Sequence, residues 1–375
     1  MKRSWKFASA AGAGLAAAAL LAAPAAAAAP APDRGTVFVQ NDSPSGNSII
    51  AYGRTASGGL DQLATYRTGG KGGILSGSVV DHLASQGSLT LDRSSGLLYS
   101  VNAGSNSITT FAVHGSRLAR RQVLSSGGQF PVSIAAHGNL VFVLNGRDGG
   151  SISGYLQIAG VLVPVPAWHR ELHLNTSAPG QADEFTSTPG QIGFTPDGHT
   201  LLVATKNGGN SIEAFGVGLF GPSARPVITS LPGTVPFGFD FDARGHLALT
   251  EAGPSAVATF AVARSGALIP LDSVATGQAA TCWIVAGGRT LYASNAGSGT
   301  VSAYTTDAGG QLSGGATTAT DAGTVDAAAA GGYLYVQAGA AGIVDAYRIG
   351  ADGALTKTGS VTVPDAAGAE GIAAL

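Results

Sequence analysis

Seven times along this chain a β-rich run ends in a polar residue, passes a Gly/Ser/Asn turn and enters a second β-rich run. The clearest copies are LLYSVNAGSNSITTFAV (97–113), LLVATKNGGNSIEAFGV (201–217) and TLYASNAGSGTVSAYTT (290–306). Weaker copies lie at 37–53, 140–156, 247–262 and 333–349. The residues closing the first run are Asn41, Asn102, Asn145, Asn207, Glu251, Asn295 and Gln337, at spacings of 61, 43, 62, 44, 44 and 42. A period in the low forties with four short strands per unit is the pattern of a β-propeller, in which each small sheet buries its faces only against its neighbours. The repeats predict an all-β, seven-bladed β-propeller with four-stranded antiparallel blades.

Blade geometry then sorts the loops. In a meander A–B–C–D, the A–B and C–D turns lie on one face, and the B–C turns and D-to-next-A connections on the other. The first unit begins at its B strand, because GTVFVQN has no strand before it. The terminal EGIAAL (370–375) resembles the A strands SIAAH and QIGFT, so the C-terminal strand is expected to join the first blade and close the ring. The two long spacings come from extra residues at 69–86 and 172–188, both D-to-A connections on the same face as the B–C turns. Long loops on one face of a rigid scaffold are where function tends to sit.

At the N-terminus, Lys2, Arg3 and Lys6 precede an apolar run, Leu15 to Leu21, and an Ala-rich stretch to Ala29. This is the pattern of a secretory signal peptide over 1–29, followed by a single propeller domain over 30–375. The run is too short and too Ala-rich to supply the ~20 apolar residues of a membrane span. The expected product is therefore secreted and extracellular, with no span after removal of the signal, and monomeric. Without the leader, 17 basic residues face 22 acidic ones, and no Lys/Arg cluster exists to neutralise phosphates, which excludes nucleic acid as a partner. The single Cys282 rules out an intramolecular disulfide, so stability must come from packing.

The face rule also sorts the candidates for chemistry. His114, His137, His199 and His246 fall in turns of the plain face. His82, His169 and His173 fall in or beside the insertions, and His82, next to Asp81, is the best placed for acid–base work. His169 and His173 sit four residues apart in extended chain, about 13 Å, too far to share one ion. GGKGG (69–73) lacks the Ser/Thr and the helix of a phosphate cradle and reads as a flexible loop. Cys282 reads as a small apolar residue of an A strand. Glu251 replaces Asn at the end of its B strand, near the channel mouth. Asp183 and Glu184 lie in the second insertion and Glu370 in the closing connection, while Arg147 and Lys206 stand beside B-strand ends. Carboxylates to activate a water and cations to polarise a carbonyl make Glu251, Glu184, Lys206, Arg147 and His82 the candidate catalytic residues. The same groups suit a sugar or an anion. The recurring Asn itself reads mainly as turn chemistry. No cofactor is expected from the residue pattern.

The segments FTPDGHTLLVATKNGGNSIEAF (194–215), LDRSSGLLYSVNAGSNSITTF (91–111) and GGRTLYASNAGSGTVSAY (287–304) resemble the seven-bladed propeller lactonase family, over about 35–375 and in the form of a secreted bacterial member. That family includes bacterial 6-phosphogluconolactonases and fungal carboxymuconate-lactonising enzymes. The resemblance implies hydrolysis of a lactone, a cyclic ester, at the channel mouth. The family often carries G-x-H-P-H-type segments leading into strand A. The matching places here read GGQFPVS (127–133), TSTPGQI (186–192), GTVPFGF (233–239) and GQAATCW (277–283), where Pro131, Pro189 and Pro236 fit and the histidines are missing. A separate propeller gluconolactonase family holds a divalent metal with Glu and Asn, a set that Glu251 with Asn207 or Asn102 resembles. The alternative to a lactone hydrolase is a non-catalytic extracellular propeller that binds a carbohydrate, peptide or cell-envelope ligand at the same mouth.

Overall fold

In the computed structural model the described residues are 1–9 and 35–375. The signal-peptide reading of 1–29 falls mostly outside them. Residues 1–9 have no regular secondary structure, and every strand of the described residues lies in the compact unit that ends at Leu375.

Seven antiparallel sheets succeed one another along this unit, five of them four-stranded and four of these a simple meander. Blade 2 is typical, with strands A to D at Leu89–Asp92, Leu97–Asn102, Ser107–His114 and Arg117–Ser125. The first blade is completed from the far end of the chain: Thr36–Gln40, Ser48–Arg54 and Leu60–Arg67 are joined by Ile372–Ala374, with Phe38 opposite Ala373. Ring closure by the C-terminal strand is thus as the repeat pattern predicts. In blades 3 and 4 the outer strand is broken into two pieces, Val161–Pro164 with Arg170–Glu171, and Gly221–Pro222 with Val227–Ser230. No helix among the described residues is long and apolar enough to cross a membrane.

Burial follows strand position. The B strands Leu97–Asn102 and Leu140–Asn145 are buried almost throughout, because both faces of a middle strand meet a neighbouring blade. The outer strand Arg117–Ser125 is mostly exposed. Side chains such as Leu202, Ala204 and Ile212 of blade 4 pack on Phe239 and Leu249 of blade 5. Each fully buried Leu, Ile or Phe of this kind contributes about 1.5–3 kcal/mol of transfer free energy. Polar side chains of the A strands tie successive blades near the axis. Thr90 Oγ1 donates to Ile134 O at 2.8 Å, Ser133 Oγ accepts from Ile192 N at 3.2 Å, and Gln191 both donates to and accepts from the Phe239 backbone.

Candidate functional site

The first insertion is packed rather than flexible. Its glycines run where no side chain fits: a Cβ on Gly72 would stand 1.9 Å from the carbonyl oxygen of Asp42, and one on Gly70 2.4 Å from the Asn102 side chain. Beyond them the chain reaches the propeller axis. Ser85 Oγ donates to Val132 O of blade 3, and Gln86 N donates to Gly190 O at the entrance to blade 4. Gln86 also exchanges two hydrogen bonds with the Ile284 backbone of blade 6, at 2.8 and 3.0 Å, and Trp283 Nε1 donates to Ser85 O. A two-residue segment that touches the inner strands of blades on both sides lies on the axis. Ser85 and Gln86 therefore cross the channel.

The second insertion docks on the first. Ser76 N donates to Glu184 Oε2 at 2.9 Å and Phe185 N to Ser76 O at 3.3 Å. Asp183 precedes a single helical turn, Glu184–Ser187, that buries the Glu184 side chain completely. Arg147 Nε donates to Glu184 Oε1 at 2.7 Å, and the Arg147 guanidinium lies 4.2 Å over the Phe130 ring. Burial by itself would raise the Glu184 carboxyl. The Arg147 bond and the Ser76 and Gly180 amides outweigh it and hold the group below the usual range, as an anion. Arg147 remains 24% exposed, so its guanidinium is fixed on one side and open to solvent on the other.

Lys206 joins the two insertions. In blade 4 the pairing of Ala204 with Ile212 puts Thr205 opposite Ser211, the place that Asn102 holds opposite Ser107 in blade 2, and Lys206 is the next residue. Asn207, read from the sequence as the closing residue of that run, lies one residue further on, exposed. At Lys206 the backbone turns left-handed, φ 45°, and the side chain is 1% exposed. Its Nζ donates to Ala84 O at 2.6 Å, Phe185 O at 2.5 Å and Thr188 Oγ1 at 3.0 Å, 5.2 Å over the Phe237 ring. Burial lowers its pKa to about 8, against the attraction of Asp81 and Glu370.

Around this ammonium stand buried carboxyls. Glu370 accepts from the Ser85 amide at 3.1 Å and from the Ser85 hydroxyl, while its own N–H donates to Asp42 Oδ2 at 2.9 Å. Burial raises Asp42 to about 7, Asp326 to about 7 and Asp81 to about 6, and pushes Glu370 well up. Lys206 opposes the rise at Asp81. Lys206 attracts Asp81 and Glu370, and burial holds all four carboxyls above the usual carboxylate range. His82 lies at its edge, half-buried, with Nδ1 unpartnered and the ring against Gly368. Burial lowers its pKa, against a bond to the Asp42 backbone, so the imidazole is neutral.

The structure thus brings together three of the five candidate residues, Glu184 with Arg147 through an ion pair and Lys206 through its bond to Phe185, next to Glu184, while the His82 ring lies against Gly368. Glu251 stands apart. It accepts from Ser273 Oγ at 3.3 Å on the outer strand of its own blade, and among the described residues no hydrogen bond or ion pair joins it to the other four. Burial raises its pKa. The recurring Asn is structural: Asn102 donates to Thr109, Asn145 to Ser151, and Asn295 to Thr300 and Ser302, each inside its own blade. His169 is paired with Glu171 at 2.8 Å, and no group of three His, Cys, Asp or Glu among the described residues is arranged to hold a metal ion. Sequence reasoning passed over Asp42, Asp326 and Gln86. The one available signal was Lys206 standing at a place where most of the other repeats have Ala or Gly.

Residues 247–371 match the family model described as lactonase, 7-bladed beta-propeller. No curated protein matches the chain by sequence. Among solved structures, a Bacteroides fragilis protein provisionally described as a 6-phosphogluconolactonase is similar with 19% identity and a TM-score of 0.71, over 91% of this chain and 98% of that one. The periplasmic gluconolactonase of Pseudomonas aeruginosa is similar with 19% identity and a TM-score of 0.69, over 88% and 96%. An inactive variant of the virginiamycin B lyase of Staphylococcus aureus is a more distant match, with 15% identity and a TM-score of 0.51, over 72% and 82%. At such identities the structural likeness is one of fold, and a lyase on the same fold shows that blades alone do not choose a reaction. The family match and the fold together bear out the resemblance to lactonase-type propellers.

Proposed function

We propose that this lactonase-type propeller is a hydrolase of lactone rings, acting at the rim where its two insertions meet. With Glu184 and Lys206 buried, the reacting group that still reaches solvent is Arg147. Arg147, held by Glu184 and Phe130, polarises the lactone carbonyl and stabilises the oxyanion. His82 takes no part in the step, because its Nδ1 is buried and its ring lies against Gly368. A water from solvent adds to the carbonyl carbon and gives up its proton to solvent, the ring C–O bond breaks as the tetrahedral adduct collapses, and the leaving alkoxide takes a proton from solvent. Glu184 positions Arg147, and Lys206 holds the two insertions in register. Export through the N-terminal leader would favour sugar lactones without a phosphate.

The observation that carries this reading is Arg147, fixed by a buried carboxylate yet open to solvent. The test is a panel of γ- and δ-lactones followed by acid release in a pH-stat, with and without chelator. The reading expects turnover by the wild type that Arg147→Ala removes; a panel left intact by the wild type sinks it. The second reading, a binding propeller without catalysis, draws on the complete internal satisfaction of Lys206.

A further inference from the structure

A pocket of about 660 Å³ lies between the start of the second insertion and the outer part of blade 4, and none of the candidate catalytic residues lines it. One of its walls is Glu213, on the strand Ser211–Gly218. Its chain neighbours Ile212 and Ala214 face the core shared with blade 5, so the period of two points Glu213 the other way, toward the pocket. The residue is 4% exposed, and no hydrogen bond or ion pair to its carboxyl is found among the described residues. Its strand partners are Val203 and Ile228, which offer no donor. The other charged or titratable groups of the lining are Glu171, His173 and Arg225. Glu171 is engaged with His169, and Arg225 makes no ion pair among the described residues. Burial raises the Glu213 carboxyl to about 7. A carboxyl in such a place needs a donor, and a cation relieves both the missing bond and the buried charge.

We propose that this pocket binds a small aliphatic primary amine, its ammonium against Glu213 and its alkyl chain over Leu172, Leu174 and Ile228. The ammonium keeps Glu213 ionised, so affinity rises with pH through the titration of that carboxyl. Calorimetric titration of the full protein with n-butylamine, at pH 8 and pH 5.5, tests the site. Binding is expected at pH 8, at least about tenfold weaker at pH 5.5 and in Glu213→Gln, and absent for n-butanol. No binding of butylamine at pH 8, an affinity of Glu213→Gln within twofold of the wild type, or equal binding of butanol would overturn it. Ile228→Ala changes an exposed wall residue that folding does not need. It is expected to weaken butylamine several-fold, and an unchanged affinity counts against the site as well.

Discussion

Lys206 Nζ donates to the carbonyl of Phe185 at 2.5 Å, and through the same ammonium to Ala84, so a single side chain from blade 4 holds one residue of each insertion. Its worth comes from where it is. A fully buried ammonium is tolerated only because three oxygens accept from it and Asp81 faces it.

Replacing Lys206 by Met removes these bonds and leaves Asp81 without its counter-charge. A destabilisation of about 3–5 kcal/mol is expected at pH 8, the size found when one partner of a buried pair is lost. The loss is smaller at pH 5, where Asp81 is protonated. Urea unfolding at the two pH values checks this, and equal losses at both would contradict the role given to Asp81.

The carboxyl cluster sets a pH dependence with a definite sign. Asp42 and Asp326 have folded pKa values of about 7, above their ordinary value. Their contribution is fully present below pH 3.8 and is lost as pH rises through about 7. The melting temperature is expected to fall from about pH 4 to about pH 7.5 and to level off above, and Asp42→Asn with Asp326→Asn to flatten that fall. A melting temperature independent of pH in the wild type would exclude carboxyls raised by burial.

At the rim, Arg147→Ala is expected to lower kcat/KM for a lactone by about 100-fold, as for loss of one oxyanion donor. Glu184→Gln keeps the guanidinium but frees its orientation, and a smaller fall of about tenfold is expected. Michaelis–Menten profiles of both variants measure the difference. If Glu184→Gln costs more than Arg147→Ala, Glu184 does more than position the guanidinium.

The path of the first insertion is steric. Gly72→Ala would put a methyl 1.9 Å from a backbone oxygen, whereas Gly46 in the neighbouring turn has nothing within 4 Å. The first substitution is expected to cost more than about 2 kcal/mol and the second less than about 0.5 kcal/mol. Thermal melts of the two variants compare them directly.

Much of the molecule was legible in one dimension because propeller repeats are local. The period, the turn residues and the orphan terminal strand predict seven blades, the closing of the first blade by Ile372–Ala374, and the common face of the two insertions. The recurring Asn was readable as turn chemistry only in part: Asn102 and Asn145 bond Thr109 and Ser151 nearby in the chain, but Asn102 also accepts from Asn47 and Asn41 donates to Pro364. The packing of GGKGG was not readable, because its partners Asp42, Asn102 and Phe130 come from other blades.

What the sequence determined alone was therefore the scaffold and the face on which loops accumulate, since a blade is built from contacts between residues near in the chain. Which polar residues meet was decided by ring closure. Asp42, Asp81, Lys206, Asp326 and Glu370 span nearly the whole chain and converge only because seven blades share one axis. Burial on that axis, which no local pattern records, raises the pKa of its carboxyls and makes a clamp of its lysine.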